Sequence, residues 1–170
     1  MDKRECDALA QKVALGDGAA FEKLYDGMKR GVFAFAYTYM PNFADAEDVV
    51  QETFLAVKRK AYTYQAGTDA RAWVFQIAKN KCLDELRRRK SRGETETVQE
   101  RGEELRFPML DEMTACLDES EREIVLLHAV WAYKHKEIAQ MQKLPLGTVT
   151  WKYKRAIEKL KKYHKESAGE

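Results

Sequence analysis

Apolar residues recur every three or four positions along most of the chain, with no convincing strand-type alternation. The spacing predicts a first helix over 3–15, stopped by Gly16-Asp17-Gly18, where two glycines flank a polar residue. A second helix is predicted over 19–40, with Phe21, Leu24, Tyr25, Met28, Val32 and Phe35 at helical spacing and Pro41 as its terminator. Asn42 then reads as an N-cap with Asp45 as its reciprocal partner, opening a helix to about residue 60 that buries Val50, Phe54 and Val57. Residues 62–67 read as a loop. Thr68 is the expected cap of the next helix, whose inner side carries Trp73, Ile77, Ala78 and Leu86.

That helix runs into the basic string Arg87-Arg88-Arg89-Lys90-Ser91-Arg92, which the negative end of a helix dipole tolerates. From 93 to 106 the pattern collapses: GETETVQERGEELR holds one Val and one Leu among its charges, too little apolar surface to order itself. It is the predicted linker between two domains, 1–92 and 107–170. Beyond it, a short helix is expected over 107–116. Asp118 with Glu121 forms a capping-box signature before Ile124, Val125, Leu127 and His128, and a helix pair follows at 134–142 and about 147–163. The fold class expected is all-α: two small helical domains on a flexible charged linker.

Composition narrows the function. Hydrophobic residues make up 45% of 170, enough for packed cores, and the net charge is only +2, so the location of charge matters more than its total. The three cysteines lie far apart without metal-ligand spacing, and no apolar stretch reaches the length of a bilayer span. The N-terminus lacks the features of a signal peptide, so a reducing, cytoplasmic setting is expected, without membrane insertion. His128, His135 and His164 show no ligand spacing, and no Gly-rich phosphate loop, nucleophile elbow or paired catalytic carboxylates appear. The expectation is therefore no enzyme, no metal, no cofactor and no small-molecule substrate.

The last helix pair can be a plain amphipathic hairpin with a solvated Lys-rich face or a DNA-reading helix-turn-helix. The second reading is favoured by small Ala139 at the crossing, Leu144 in the turn, and Val149 and Ile157 facing inward. The outer face then carries Thr148, Thr150, Trp151, Lys152, Lys154 and Arg155. Cations there neutralise phosphates of any sequence, while Arg, Lys or Thr at a groove floor selects bases.

The strings Leu117-Asp118-Glu119-Ser120-Glu121-Arg122-Glu123-Ile124, Lys136-Glu137-Ile138-Ala139, Leu144-Pro145-Leu146-Gly147-Thr148-Val149 and Lys154-Arg155-Ala156 together resemble the C-terminal domain of extracytoplasmic-function (ECF) sigma factors. The resemblance implies reading of the promoter minus-35 element in the major groove and contact with the polymerase β flap. Three positions depart from the family pattern. Lys143 stands where a turn Gly is usual, so the turn must hold a strained or altered backbone. Lys134 replaces a small hydroxyl cap. Trp151 replaces a Ser; it either meets a thymine methyl or sugar edge or turns partly inward to pack.

The same family is matched in the N-terminal half. Asp45-Ala46-Glu47-Asp48-Val49-Val50-Gln51-Glu52-Thr53-Phe54, by itself a well-capped amphipathic helix, is similar to the segment that docks on the β′ clamp helices of core RNA polymerase. The resemblance makes Asp45, Glu47, Asp48, Gln51 and Glu52 polymerase contacts and leaves Phe54 in the core. Tyr64-Gln65-Ala66-Gly67-Thr68-Asp69, then Trp73, Ile77-Ala78-Lys79-Asn80 and the basic helix end, resemble the element that melts the minus-10 region. Capture of an unstacked base then falls to Tyr64, Gln65, Thr68, Asp69, Gln76, Lys79 and Asn80. Arg87 and Arg88, with the cations after them, hold phosphates, and Trp73 is expected in the core.

Tyr64-Gln65-Ala66 departs from a common Phe-Arg-Gly start, which leaves the captured base open. The implied function is a transcription initiation factor that binds core polymerase and promoter DNA under the control of an anti-sigma factor, which, if membrane-anchored, holds it at the inner face of the membrane. Two other readings are an operator-binding dimeric regulator, which would carry a ligand or dimerisation domain in place of the docking segment, and a protein-interaction module, which leaves the basic face of the last helix unexplained.

Overall fold

The computed structural model describes residues 1–40, 42–93 and 107–167. Pro41, and the predicted linker beyond Gly93, lie outside the described residues. The chain divides into two compact units, Met1–Arg101 and Gly102–Glu170. All regular structure among the described residues is helical, and none of these helices is long and apolar enough to cross a membrane.

In the first unit, α1 (Lys3–Ala14) starts where the Asp2 carboxylate accepts the Glu5 N–H at 2.8 Å. It buries Cys6, Ala10 and Val13, one face at helical spacing. Gly16, at φ +89°, turns the chain, and Asp17 caps α2 (Gly18–Tyr37) by accepting the Ala20 N–H at 3.0 Å. This helix ends three residues before the expected Met40. The Thr38 hydroxyl donates to the Phe35 carbonyl at 2.8 Å, and the N–H groups of Tyr39 and Met40 both return to Ala36. The last turn thus closes on itself while Met40 stays buried.

Asn42 caps α3 (Phe43–Lys60), accepting the Asp45 N–H at 2.8 Å. The reciprocal bond comes from the Asn42 side-chain amide, which donates to the Asp45 carboxylate at 2.6 Å. A short 3-10 turn, Ala61–Thr63, occupies the start of the predicted loop. Then α4 (Ala70–Ser91) begins at Asp69, not Thr68: the Asp69 carboxylate takes the N–H groups of Arg71 and Ala72. A charged acceptor holds these donors better than a hydroxyl, and the Thr68 hydroxyl instead donates to the Gln65 carbonyl at 2.7 Å.

Helices α2, α3 and α4 pack together, with α1 against α2 and α4. Edge-on aromatic pairs, Phe35 with Phe75 and Tyr25 with Phe54, join them at centroid separations of 4.8 Å. In α4 the buried residues are Ala70, Val74, Phe75, Ile77, Ala78 and Cys82, so its second half stands clear of the core. Trp73, expected inside, is half-buried and lies against Tyr64.

In the second unit, Pro108 begins α5 (Pro108–Cys116), where its missing N–H costs nothing. Asp118 and Glu121 form the full capping box of α6 (Glu119–Ala129). Next, α7 (His135–Gln142) starts at Lys134, which offers no side-chain cap; the Glu137 carboxylate accepts the Lys134 N–H at 2.8 Å. Lys143 adopts φ 54°, ψ 41°, the left-handed conformation expected for a turn normally given to glycine. The final helix, α8 (Leu146–Ser167), packs on α5, α6 and α7 and fully buries only Val149 and Ala156. Ile157, expected inside, is half-buried, because Ala156 sits closer to the line of contact.

Candidate nucleic-acid and protein interfaces

Along α3, heptad-like burial of Ala46, Val49, Val50, Thr53, Phe54 and Val57 turns Glu47, Asp48, Gln51 and Glu52 outward, and all four are exposed. Leu55, one turn beyond Gln51, joins them at 52% exposed, an apolar residue on the outward face. Asp45 differs from its neighbours. It is half-buried and binds Arg89 of α4 at 2.7 Å besides its contact with Asn42. Glu52 pairs with Lys81 at 3.0 Å, which holds its carboxyl below the usual range. A small cleft between α3 and α4 is lined by Asp45, Asp48, Val49, Glu52, Lys81, Glu85 and Arg88.

The segment before α4 is held in shape from within. Tyr64 donates its hydroxyl to Asp7 of α1, and its ring lies 5.3 Å from that of Trp73. Burial, then the Asp7 bond, pushes the Tyr64 hydroxyl up to about 12. Gln65 and Thr68 are exposed, whereas Asp69 is committed to capping α4 and lies 3.3 Å from the Lys3 ammonium. Gln76 and Asn80 are exposed and bonded to each other at 3.0 Å, with Lys79 half-buried beside them.

Positions 73, 76, 80 and 87 follow the helical repeat, so Trp73, Gln76, Asn80 and Arg87 form one stripe of α4, with Asp69 capping the helix ahead of it. Arg87 and Arg88 are exposed, paired with Asp84 at 2.9 Å and Glu85 at 3.2 Å respectively. Arg89 instead turns in to Asp45 and Glu85 and serves the α3–α4 contact.

Of the α8 residues expected to face DNA, Trp151, Lys154 and Arg155 are exposed, and Trp151, at 56% exposed, takes the outward of its two expected orientations. The Arg155 guanidinium lies over its ring at 5.2 Å, a cation–π contact. Thr148 and Thr150 are half-buried, the latter with its hydroxyl 3.5 Å from His135 Nδ1. Lys152 points back toward α6 and donates to the Ser120 hydroxyl at 3.0 Å.

Beneath this face lies a residue that sequence reasoning treated as a cap alone. Glu121 is fully buried, with Lys159 at 2.6 Å and Arg155 at 3.4 Å from its carboxylate. It therefore fixes two cations of α8 from below. The sequence signalled its capping role, whereas its burial comes from α8 packing over α6. In the same unit, the rings of His128, His135 and Tyr153 meet at tilted and edge-on angles with centroids 4.7–4.8 Å apart. Burial, then the neighbouring His128, lowers the His135 pKa below its usual 6.5. Among the described residues no cluster of His, Cys, Asp or Glu is arranged to hold a metal ion.

Two family matches fall on these two units: Sigma-70 region 2 on residues 24–92 and Sigma-70 region 4 on residues 108–160. The ECF RNA polymerase sigma factor SigC of Mycobacterium tuberculosis is 30% identical over 170 residues, covering 94% of this chain and 91% of the relative. RNA polymerase sigma factor CarQ of Myxococcus xanthus is 32% identical over 158 residues, covering 85% and 90%. Among solved structures, CnrH in complex with the cytosolic domain of CnrY aligns with a TM-score of 0.69 at 27% identity, over 92% of this chain and 95% of that one. The sigma factor RpoE of Bartonella quintana, solved with the anti-sigma factor NepR, has the same fold by a TM-score of 0.69 at 20% identity, over 85% and 96%. With both regions present in order and relatives matched almost end to end, the chain belongs to the ECF sigma factors of RNA polymerase.

Proposed function

We propose that this sigma factor, a transcription initiation factor and not an enzyme, divides its work between residues 1–92 and 107–170, with 93–106 as the tether. The exposed row Glu47, Asp48, Gln51 and Glu52, extended by Leu55, docks on the β′ clamp helices of core RNA polymerase. Asp45 supports that row from behind by holding Arg89. Gln65 and Thr68, with the α4 stripe of Trp73, Gln76 and Asn80, receive the unstacked minus-10 base. Tyr64, Asp69 and Lys79 shape that site, and Arg87 and Arg88 hold the strand by its phosphates. Charge-paired arginines exchange carboxylate for phosphate at little cost because both states are solvated.

In the C-terminal unit, α8 enters the major groove at the minus-35 element with Thr148, Trp151, Lys154 and Arg155 leading. Thr150 and Lys152 lie on its flank, and Lys152 reaches a phosphate by leaving Ser120. The unit also rests on the β flap. An anti-sigma factor controls the protein, a reading supported by the CnrH structure, which was solved with the cytosolic domain of its partner CnrY. The chain acts in the cytoplasm, and a membrane-anchored anti-sigma factor would hold it at the inner face of the membrane.

One observation carries this reading: a region 2 match and a region 4 match in a single chain, in order, each on its own helical unit. Run-off transcription with purified core polymerase on genomic fragments tests it. Discrete start sites that require the added chain are the expected outcome. Transcripts identical with and without it would overturn the proposal. Tight binding of the chain alone to a duplex with half-sites one helical turn apart would favour the operator-binding regulator instead.

A further inference from the structure

α1 lies before the segment matched to sigma region 2, which begins at residue 24. Its outer face nevertheless meets the loop that precedes α4. The Asp7 carboxylate receives the Tyr64 hydroxyl and, at 3.1 Å, the N–H of Gly67, while Gln11 donates to its second oxygen at 2.8 Å. Gly67 has φ +80°, so its N–H is aimed by a turn that a side chain would strain. One turn earlier on α1, Lys3 lies 3.3 Å from Asp69, the cap of α4. Both ends of the loop, Tyr64 and Asp69, are therefore fastened to the same helix, and Gln65, Ala66 and Thr68 between them remain exposed.

We propose that Asp7 is a positioning residue for minus-10 base selection: its carboxylate pins the loop at Tyr64 and Gly67, so that Gln65 and Thr68 meet an unstacked base in one fixed geometry. The inference rests on the assignment of this loop to base capture. A solitary exposed hydrogen bond would carry little. Here three donors converge on one carboxylate, two of them from positions 57 and 60 residues away in the chain. Fixing a short loop before the ligand arrives removes an ordering cost from binding, and it removes alternative loop shapes that would accept other bases. Selectivity therefore depends on α1 more than affinity does.

The test uses the full chain bound to core polymerase. Its probes are single-stranded oligonucleotides spanning the minus-10 element, with each of the four bases at each position. The readout is the affinity ratio between preferred and disfavoured bases. Asp7→Ala is expected to lower that ratio by roughly tenfold, the scale of one or two lost charge-assisted hydrogen bonds. Affinity for core polymerase and for a minus-35 duplex should stay unchanged. Asp7→Asn, which keeps an acceptor for Gly67 and Tyr64, should retain most of the ratio. Tyr64→Phe should fall between, and the double variant with Asp7→Ala should be no worse than Asp7→Ala alone.

An unchanged ratio in Asp7→Ala, in a chain where Gln65→Ala abolishes it, overturns the inference and leaves the loop assignment standing. Equal losses of core affinity and base selectivity overturn it too, since they mark general damage. If the unaltered complex prefers no base and Gln65→Ala changes nothing, the loop assignment falls and the inference with it.

Discussion

Asp45 and Glu121 occupy the same local position, the third residue of a helix, and both bind an arginine from a later helix in their own unit. Asp45 keeps 24% of its side chain exposed and meets Arg89 near the end of α4. Glu121 is sealed from water beneath α8, between Lys159 and Arg155. The first pair joins α3 to α4 with both side chains still partly in water, which screens it in part. The second sits in the smaller unit, where the carboxylate is fully buried and its two cations reach it from the partly exposed side of α8. One sequence device thus has two energetic meanings, set by what crosses above it.

Glu121→Ala is the most damaging change by this reasoning. It removes half of a capping box and both α8 ion pairs, and should destabilise the C-terminal unit by about 2 kcal/mol, below the full value for a buried pair because Lys159 and Arg155 can rehydrate. Hydrogen exchange on the full chain, resolved by unit, checks it; protection lost equally from both units would break the comparison. Asp45→Ala should cost the N-terminal unit about 1 kcal/mol, and part of that should vanish at high salt, whereas the Glu121 effect should not. A salt-insensitive loss would place Asp45 in the same class as Glu121.

Lys143→Gly sharpens the contrast by separating local strain from tertiary burial. It relieves a left-handed lysine and should stabilise the C-terminal unit by about 1 kcal/mol, read from a denaturant midpoint, with no change in salt dependence. The smallest effect is acid sensitivity. All three histidines lie in the C-terminal unit, and His135 holds its proton less well folded than unfolded. The unfolded chain therefore binds more protons as pH falls, and folded stability is lost from about 6.5 downward. Amide protection should weaken in this unit between neutral pH and mild acid, and His135→Phe should flatten that dependence. A slope that persists in His135→Phe would assign it to another group.

Most helix ends were written in local chemistry that needs no distant partner. Asn42 and Asp118 cap their helices where polar residues precede apolar repeats, and Gly16 turns the chain after α1. The strain at Lys143 was legible for the same reason, since a tight turn that normally takes glycine announces its backbone. Periodicity also turned Glu47, Asp48 and Gln51 outward on α3 and Val149 inward on α8.

Choices among near-equivalent residues depended on the neighbours that folding supplied. Thr68 and Asp69 are both plausible caps, and the charged one prevailed while the hydroxyl closed the loop. Trp73 is in phase with Ile77 for an isolated helix, yet Tyr64, fastened to α1, gives its ring a surface to lie on and keeps it half-exposed. Arg87 and Arg89 read alike in a basic run, but only Arg89 faces Asp45. Lys152 and Lys154 differ because one meets Ser120 across a helix crossing. The sequence by itself determined the helices, most of their ends and the family, because capping and periodicity act within a few residues. Tertiary structure decided which charges remain available to DNA and polymerase, because an ion pair or a buried carboxylate depends on groups that only packing brings within reach.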